Sequence, residues 1–274
     1  MEALILLLPL FLFQSITQSR AARIDAFIYG GCSPTKFNPG TVYESNVNSA
    51  LTSLVNSADS VSFNKFKTSL PGSTQPDVIY SLYQCRGDLS VSDCRSCVAR
   101  AVSQLGSLCV DTSGGALQLD GCFVKYDNIS FFGAADTAEV IHKCGPSISS
   151  SSDETTSRYT VLTGLSTAGQ YFRVFGYGRV QGMAQCTQDV DSSACQNCLS
   201  EAIGRLKSEC GFASWGYVYL VKCYARYSEH GFSQKSAGES ERKLAIIIGI
   251  IGGVAVLVVL LSVLSKLCYA KGGR

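Results

Sequence analysis

The chain has 274 residues, of which 46% are hydrophobic, 16% are charged and 13 are cysteines. The formal net charge of +2 is small, which argues against a nucleic-acid partner. Two strongly apolar runs at the ends raise the hydrophobic fraction, and the residues between them suffice for two small domains.

The N-terminal residues 1–19 have the composition of a cleaved secretory signal. Residues 4–13 are apolar, and the small and polar residues of 14–19 follow them. A short apolar run before small residues is typical of a signal peptide. We therefore expect cleavage after Ser19, with Ala22 as the second choice, and export of the chain that follows.

Residues 24–131 have the pattern of a first domain with two helices. The first helix is predicted over 41–56, where apolar residues share a face. The second begins after Ser90 as its N-cap. Its apolar face has i, i+4, i+7, i+11 spacing and comprises Cys94, Val98, Ala101 and Leu105. Runs rich in Tyr, Phe and Val predict strand structure at 77–84 and 116–126.

Residues 134–232 repeat this pattern as a second domain. A helix is predicted over 153–168, and another begins after Asp191 as its N-cap. The face of that helix comprises Cys195, Leu199, Ala202 and Leu206. Strand-like runs lie at 172–180 and 217–227. Helices beside a mostly antiparallel sheet indicate the α+β class for both domains.

Five cysteines recur at one offset and show that the two domains are copies of one unit. The spacing C-x8-C-x2-C-x11-C-x12-C occurs twice, 101 positions apart. The first set is Cys85, Cys94, Cys97, Cys109 and Cys122, and the second is Cys186, Cys195, Cys198, Cys210 and Cys223. Cys32 precedes the first set and Cys144 the second, which gives six per domain and leaves Cys268 over.

The C-terminal part predicts a membrane anchor. A polar stalk at 233–243 precedes an uncharged apolar run at 244–265, which is long enough to cross a bilayer as a helix. The tail at 266–274 is basic, which favours a cytoplasmic location and a type I single-pass protein with an extracellular ectodomain. A removable lipid-anchor signal is the alternative.

Two features of this anchor suggest further roles. Small residues recur every fourth position, at Ala245, Gly249 and Gly253, and form a stripe on which two helices could pack. Cys268 lies just inside the predicted span and is a candidate for palmitoylation. The alternatives are that glycine is simply frequent in membrane helices and that Cys268 is an unmodified thiol.

The cysteines of an exported chain are expected to form disulfides. The C-x2-C pairs could instead bind zinc or act as redox pairs, but they lie in separate domains and lack a thioredoxin-like frame. Six cysteines per domain allow about 15 pairings, so the spacing leaves the connectivity open.

No catalytic set is recognisable, and we predict that the protein is not an enzyme. Its two histidines, His142 and His230, are interpreted as surface residues. No phosphate loop, nucleophile elbow or paired-carboxylate signature occurs, so we expect no cofactor and no metal site. Asn128 begins the sequon 128–130 and is the candidate glycosylation site, with an unused sequon as the alternative.

The C-x8-C-x2-C frame, with YQCRGDL at 83–89 leading into DCRSC at 93–97, resembles the plant cysteine-rich repeat family. Its domain is also called the salt-stress/antifungal or ginkbilobin-like domain, and the resemblance covers both copies. A signal, two such domains, one span and a short tail together resemble the plasmodesmata-located group of that family. Members with the same ectodomain and a cytoplasmic kinase are receptor-like kinases, but the tail here is too short for a kinase.

The resemblance implies a fold of two helices on a five-stranded antiparallel sheet in each domain, followed by one C-terminal transmembrane helix. It also implies a disulfide pairing within each domain. The implied pairs are Cys32–Cys109, Cys85–Cys94 and Cys97–Cys122, then Cys144–Cys210, Cys186–Cys195 and Cys198–Cys223.

A seed lectin of the family binds mannose through an Asn, an Arg and a Glu. The matching positions are Ser33, Ala116 and Asp127 in the first domain, and Gly145, Tyr217 and Ser228 in the second. Neither set keeps the amide, the cation and the carboxylate together, so the resemblance does not carry mannose binding over to these positions.

The resemblance implies a non-enzymatic regulator of cell-to-cell traffic at plasmodesmata, with roles in callose deposition and defence. The implied partners are related membrane proteins, in homo- or hetero-oligomers, viral movement proteins and receptor-like kinases. The alternatives are a cell-surface co-receptor that binds cell-wall carbohydrate or another ligand and lacks its own kinase, and a tethered antifungal module.

Overall fold

The structure, a computed structural model, describes residues 24–147, 152–167, 169–229 and 231–232. These residues form two domains of one architecture, each with a five-stranded antiparallel sheet and two helices. The expected disulfide-rich α+β fold is therefore confirmed. The predicted signal at 1–19 lies outside the described residues.

The first domain has the strand order β1-β4-β5-β3-β2. In chain order its elements are β1 (Phe27–Cys32), α1 (Val42–Ser57), β2 (Phe63–Thr68), a 3-10 turn (Gln75–Asp77), β3 (Ile79–Cys85), α2 (Val91–Leu108), β4 (Gly114–Leu119) and β5 (Cys122–Asp127).

The second domain has the corresponding strand order β6-β9-β10-β8-β7. In chain order its elements are β6 (Glu139–Cys144), α3 (Ser152–Leu165), β7 (Phe172–Tyr177), β8 (Val180–Cys186), α4 (Ser192–Cys210), β9 (Trp215–Leu220) and β10 (Cys223–Ser228).

Both helices of a domain pack on the same face of its sheet. In β3, Tyr83 and Cys85 face the helices and join the buried core, whereas the alternate residues Leu82 and Gln84 face the opposite side. The predicted helix faces form these cores, because Leu105 in α2 and its counterpart Leu206 in α4 are fully buried. Each sheet therefore keeps one face free of helices.

The predicted N-caps are confirmed. The hydroxyl of Ser90 accepts a hydrogen bond from the backbone N–H of Asp93 at 3.1 Å, and the carboxylate of Asp191 accepts one from the N–H of Ala194 at 2.8 Å. These side chains satisfy backbone donors that the first turn of a helix leaves unpaired.

The strand predictions were wrong in one respect, because three single runs are hairpins. The run at 116–126 contains β4 and β5 with a turn at 120–121, and the run at 217–227 contains β9 and β10 in the same way. The run at 172–180 contains β7 and the start of β8. Two of the turns carry hairpin signals that the strand prediction missed, Asp120-Gly121 and Gly178-Arg179, because the runs were assigned from their Tyr, Phe and Val content. The strands β1, β2 and β6 had no strong sequence signal.

No helix in the described part of the chain is long and apolar enough to cross a membrane. The predicted span at 244–265, with its stripe of Ala245, Gly249 and Gly253, lies outside the described residues. The same holds for the stalk at 233–243 and for the tail with Cys268.

Candidate functional site

Twelve cysteines are joined in six disulfides within the two domains. The structure pairs Cys32 with Cys109, Cys85 with Cys94, Cys97 with Cys122, Cys144 with Cys210, Cys186 with Cys195, and Cys198 with Cys223. This is the pairing that the family resemblance implies. Since these sulfurs are bonded to one another, the C-x2-C pairs form no zinc or redox site in this state.

The disulfides explain a glycine that both copies share. A Cβ on Gly115 would lie 3.0 Å from the sulfur of Cys109, and one on Gly216 would lie 2.7 Å from the Cβ of Cys210. The strand that carries this glycine passes so close to the bridge that a side chain would collide with it. The bridge therefore sets how close the helix end and the sheet approach.

The helix-free faces of the two sheets pack against each other through aromatic side chains. Tyr219 and Tyr224 of the second domain are buried with Met183 in a cluster that Tyr29 of the first domain joins. The rings of Tyr29 and Tyr219 meet edge to face, with their centroids 5.8 Å apart. Burial raises the pKa of Tyr224 to about 12, so this phenol stays neutral.

Charged groups also cross this contact. Asp120, in the turn between β4 and β5, accepts hydrogen bonds from Arg86 of its own domain and from Arg226 of the second domain. All three side chains are largely buried. Burial opposes the charge of Arg226, but Asp120 and the neighbouring phenols of Tyr219 and Tyr224 raise its pKa above the ordinary value. Arg226 is therefore a permanent buried cation whose carboxylate belongs to the other domain.

Two glutamines at equivalent positions of the repeat also link the domains. The amide of Gln185 donates to the backbone carbonyl of Cys85 at 2.9 Å, and the amide of Gln84 donates to the same carbonyl at 3.0 Å. The side-chain oxygen of Gln84 accepts from the N–H of Gln188 at 3.1 Å. Hydrogen bonds of this kind fix the two sheets in one register and orientation.

The connection between the domains is held to the second domain. The ammonium of Lys222 donates to the backbone carbonyl of Phe131 at 2.8 Å and pairs with Asp189 at 2.5 Å. Asp189 also accepts from the N–H of Gly133 at 3.2 Å. The linker therefore follows the surface of the second domain, and the two domains form one unit.

An open groove of about 550 Å³ lies beside this contact, where β1, β4 and β5 meet the second domain. It contains all three first-domain positions that correspond to the family's sugar site, Ser33, Ala116 and Asp127. Lys125 also lines the groove and lies directly across the strand pair from Ala116. A cation is therefore present at this site, on the strand next to the expected one.

The environment of Lys125 differs from that of an ordinary surface lysine. Its ammonium lies 4.4 Å from the ring centroid of Phe131. Burial lowers the pKa of Lys125, and the carboxylate of Asp127 opposes that shift. A partly desolvated cation and a carboxylate in one groove can bind a polar, hydroxyl-rich ligand by charge-assisted hydrogen bonds.

The corresponding positions of the second domain form a different surface. Trp215 packs over Gly145 and stacks on Tyr217, with ring centroids 6.0 Å apart. Ser228 is directly across the strand pair from Trp215. This aromatic set has no cation or carboxylate at the three matched positions, so the two copies present different chemistry.

The structure places the remaining predicted sites separately. Asn128 follows β5 and is partly exposed beside Ile129, which is 73% exposed and whose N–H donates to Asp127 at 3.1 Å. His142 lies on β6, about half exposed, where it faces Glu139 and Glu209. His230 lies outside the described residues. These positions are not part of one common site.

Sequence analysis missed Asp120, Arg226 and Lys125. A signal for the first existed, because the repeat carries Val221 where the first copy has Asp120. Asp120 pairs across the domain contact, a role that the shared fold of one copy does not require. The partner of such a residue could not be identified, since it lies 106 positions away in the other copy.

Comparison with known proteins identifies the family. The model of the salt stress response/antifungal domain matches residues 31–129 and again 141–230. The chain therefore belongs to the salt stress response/antifungal family.

Its relatives include several plasmodesmata-located proteins of Arabidopsis thaliana. The chain is 52% identical to plasmodesmata-located protein 6 over 270 residues, which cover 93% of each chain. It is 50% identical to plasmodesmata-located protein 7, with 93% of this chain and 87% of the relative covered.

Solved structures show the same tandem fold. The crystal structure of the tandem ectodomain of the Arabidopsis thaliana cysteine-rich receptor-like protein PDLP5 matches with a TM-score of 0.70 at 44% identity, covering 74% of this chain and 99% of that one. That of PDLP8 matches with a TM-score of 0.71 at 41% identity, covering 76% and 100%.

Proposed function

We propose that the protein is a non-enzymatic type I membrane protein of plasmodesmata that restricts cell-to-cell traffic, promotes callose deposition and takes part in defence. The observation that carries this proposal is the 52% identity with plasmodesmata-located protein 6 across 93% of both chains. The aligned 93% of this chain is longer than residues 24–232, so the similarity extends beyond the two domains into the predicted ends.

The described surface supports a binding role. Among the described residues, the side chains that pair with His142 are two carboxylates, so His142 does not form a base-and-nucleophile pair there. The twelve cysteines of the two domains are bonded in pairs. A rigid two-domain ectodomain with a lateral groove is suited to recruit partners outside the membrane.

A fluorescent fusion to the C-terminal tail tests the location. We expect punctate signal at cell junctions that coincides with stained callose. Raised expression should reduce the spread of a small diffusible fluorescent protein to neighbouring cells, and loss of the protein should increase it. Uniform plasma-membrane signal together with unchanged spread would contradict the proposal.

Assembly with related membrane proteins would use the predicted span. The stripe of Ala245, Gly249 and Gly253 lets two backbones approach closely, which is the main source of helix association in a bilayer. Gly253→Leu should therefore weaken self-association measured by energy transfer between labelled copies. Ala255→Leu is the matched control, because it also enlarges a small residue but lies about 120° around the predicted helix from the centre of the stripe. Equal effects of both substitutions would exclude the stripe as the contact.

Viral movement proteins and receptor-like kinases are the proposed further partners.

A second candidate function is that of a co-receptor that binds cell-wall carbohydrate. The groove beside the domain contact supports it, because Lys125 and Asp127 supply a cation and a carboxylate there and Ser33 adds a hydroxyl. Lys125→Ala should abolish binding to an array of cell-wall oligosaccharides, whereas Lys67→Ala, on an edge strand outside the groove, should not. Absence of binding by the parent protein would remove this candidate.

A further inference from the structure

One cluster of side chains in the second domain has no role in the proposed function. Glu139 and His142 of β6 and Glu209 of α4 converge at the end of the domain, with one potential ligand atom from each lying within 4.8 Å of the others. All three are partly exposed, so solvent ions can reach them. We infer that Glu139, His142 and Glu209 form a binding site for a divalent transition-metal cation such as Zn²⁺.

The three potential ligand atoms lie close enough together for one ion to reach all of them. Both carboxylates approach the same ring nitrogen, since Nδ1 of His142 lies 2.7 Å from Oε1 of Glu139 and 3.3 Å from Oε2 of Glu209. Ligand atoms about 2.0–2.2 Å from Zn²⁺ at tetrahedral angles lie roughly 3.3–3.6 Å from one another, so the carboxylate of Glu139 has to move away from His142 by about half an ångström to admit the ion. A cation between the two carboxylates and the ring nitrogen, either a proton or a metal ion, reduces the repulsion between them.

The backbone explains why two residues of one strand share this site. Residues three apart on a regular strand point to opposite faces, but the pairing of β6 with β9 shifts register between Glu139 and Ile141. The shift turns Glu139 and His142 to the same side. It is a property of the fold, because β1 has the same shift between Phe27 and Tyr29.

At the equivalent positions of the first domain, the side chains cannot bind a metal ion. Its residues Phe27, Gly30 and Leu108 correspond to Glu139, His142 and Glu209. They also converge, because a Cβ on Gly30 would lie 2.7 Å from Leu108 and 3.3 Å from Phe27. The same scaffold thus carries an apolar contact in one copy and an imidazole with two carboxylates in the other.

Neighbouring groups hold the ligand residues in place. The disulfide Cys144–Cys210 begins two residues after His142 and ends one residue after Glu209, so it fixes the strand and the helix that carry them. Arg205 donates to the second oxygen of Glu139 at 2.7 Å and leaves Oε1 directed at His142. Outer contacts of this kind orient ligands and raise the affinity of metal sites.

The donor set selects the metal. Ca²⁺ and Mg²⁺ prefer oxygen ligands alone, whereas imidazole favours Zn²⁺ and its transition-metal neighbours. Two carboxylates and a neutral imidazole balance the charge of one divalent ion. Three protein ligands leave a coordination position for water or another donor.

Calorimetric titration of the purified full-length protein with Zn²⁺, after removal of metal by a chelator, tests the site. We expect one equivalent to bind at this site and no comparable binding of Ca²⁺ or Mg²⁺. Replacement with the residues of the first copy, His142→Gly or Glu209→Leu, should remove that equivalent. Glu44→Gln, in the first domain, is the control and should leave it unchanged.

Two further measurements keep the test decisive. Glu209→Gln preserves side-chain size and should weaken Zn²⁺ binding at least about tenfold, the lower bound seen for loss of even a supporting residue. X-ray absorption at the zinc edge should show one imidazole with oxygen ligands and no sulfur. Sulfur ligation, or an affinity that none of the three substitutions changes, would overturn the assignment.

Discussion

Replacement of Asp120 by alanine should uncouple the two domains. The carboxylate of Asp120 is 15% exposed and lies between the guanidinium groups of Arg86 and Arg226, whose side chains are 11% and 9% exposed. Without it, Arg226 loses its anion, and its Nε and Nη2 already lack a hydrogen-bond partner among the described residues. Arg86 keeps Asp88, which pairs with it at 2.6 Å.

The magnitude follows from this burial. Removal of one member of a buried ion pair typically costs about 3–5 kcal/mol, because the remaining charge is desolvated without compensation. Arg226 loses its carboxylate partner, whereas Arg86 keeps Asp88. We therefore expect a loss of about 3 kcal/mol in the free energy of unfolding, the lower end of that range. Asp88→Ala is the control: Asp88 is 43% exposed, and exposed pairs contribute at most about 1 kcal/mol.

The assay is denaturant unfolding of the fragment 24–232 with its disulfides intact, which corresponds to the ectodomains crystallised from relatives. Asp120→Ala should lower the midpoint and broaden the transition, because the domains then unfold separately. The double variant Asp120→Val with Arg226→Met should recover much of the loss, since an apolar pair can replace a buried ion pair. A change no larger than that of Asp88→Ala would refute the reasoning.

Three further predictions concern single residues. Intact-mass analysis of the exported domains should show six bridges and no free thiol, and Cys97→Ser should leave Cys122 reactive and cost about 2–5 kcal/mol of stability. Asn128 is partly exposed, so glycosidase treatment of the plant-expressed protein should increase its electrophoretic mobility, and Asn128→Gln should abolish the change. Acyl-exchange labelling should detect a lipid on the full-length chain that Cys268→Ser removes; labelling that persists in Cys268→Ser would place it elsewhere.

Much of the fold was predictable from the sequence because its determinants are local. The predicted helix at 41–56 differs from Val42–Ser57 by one residue at each end, and the N-caps Ser90 and Asp191 make the expected hydrogen bonds. Apolar spacing and a capping side chain act within a few residues of each other. The hairpins were missed because the strands were predicted from apolar and aromatic content, whereas the Asp-Gly pair at 120–121 is the local signal for a two-residue hairpin turn.

The candidate sites were less predictable because they depend on contacts between distant residues. The groove combines β1, β4 and β5 with the second domain. The hairpin turn at 120–121 places Lys125 opposite Ala116, but β1 and the second domain reach this position only through contacts between distant parts of the sequence. His142 was interpreted as a surface residue, which its exposure agrees with. The sequence did not indicate its two carboxylate neighbours, because a register shift in β6 brings Glu139 beside it and the end of α4 supplies Glu209.

The two copies pack against each other through a contact whose charges are not symmetric. Both copies carry a cation at the equivalent positions Lys125 and Arg226, but only the first copy carries the carboxylate. Here the first copy supplies Asp120 where the second has Val221, and the second supplies Arg226 where the first has Lys125. The anion of one copy meets the cation of the other, while Lys125 is left to line the open groove. Equivalent positions of the two copies therefore have different surroundings, because Arg226 lies in the domain contact and Lys125 lies in the groove.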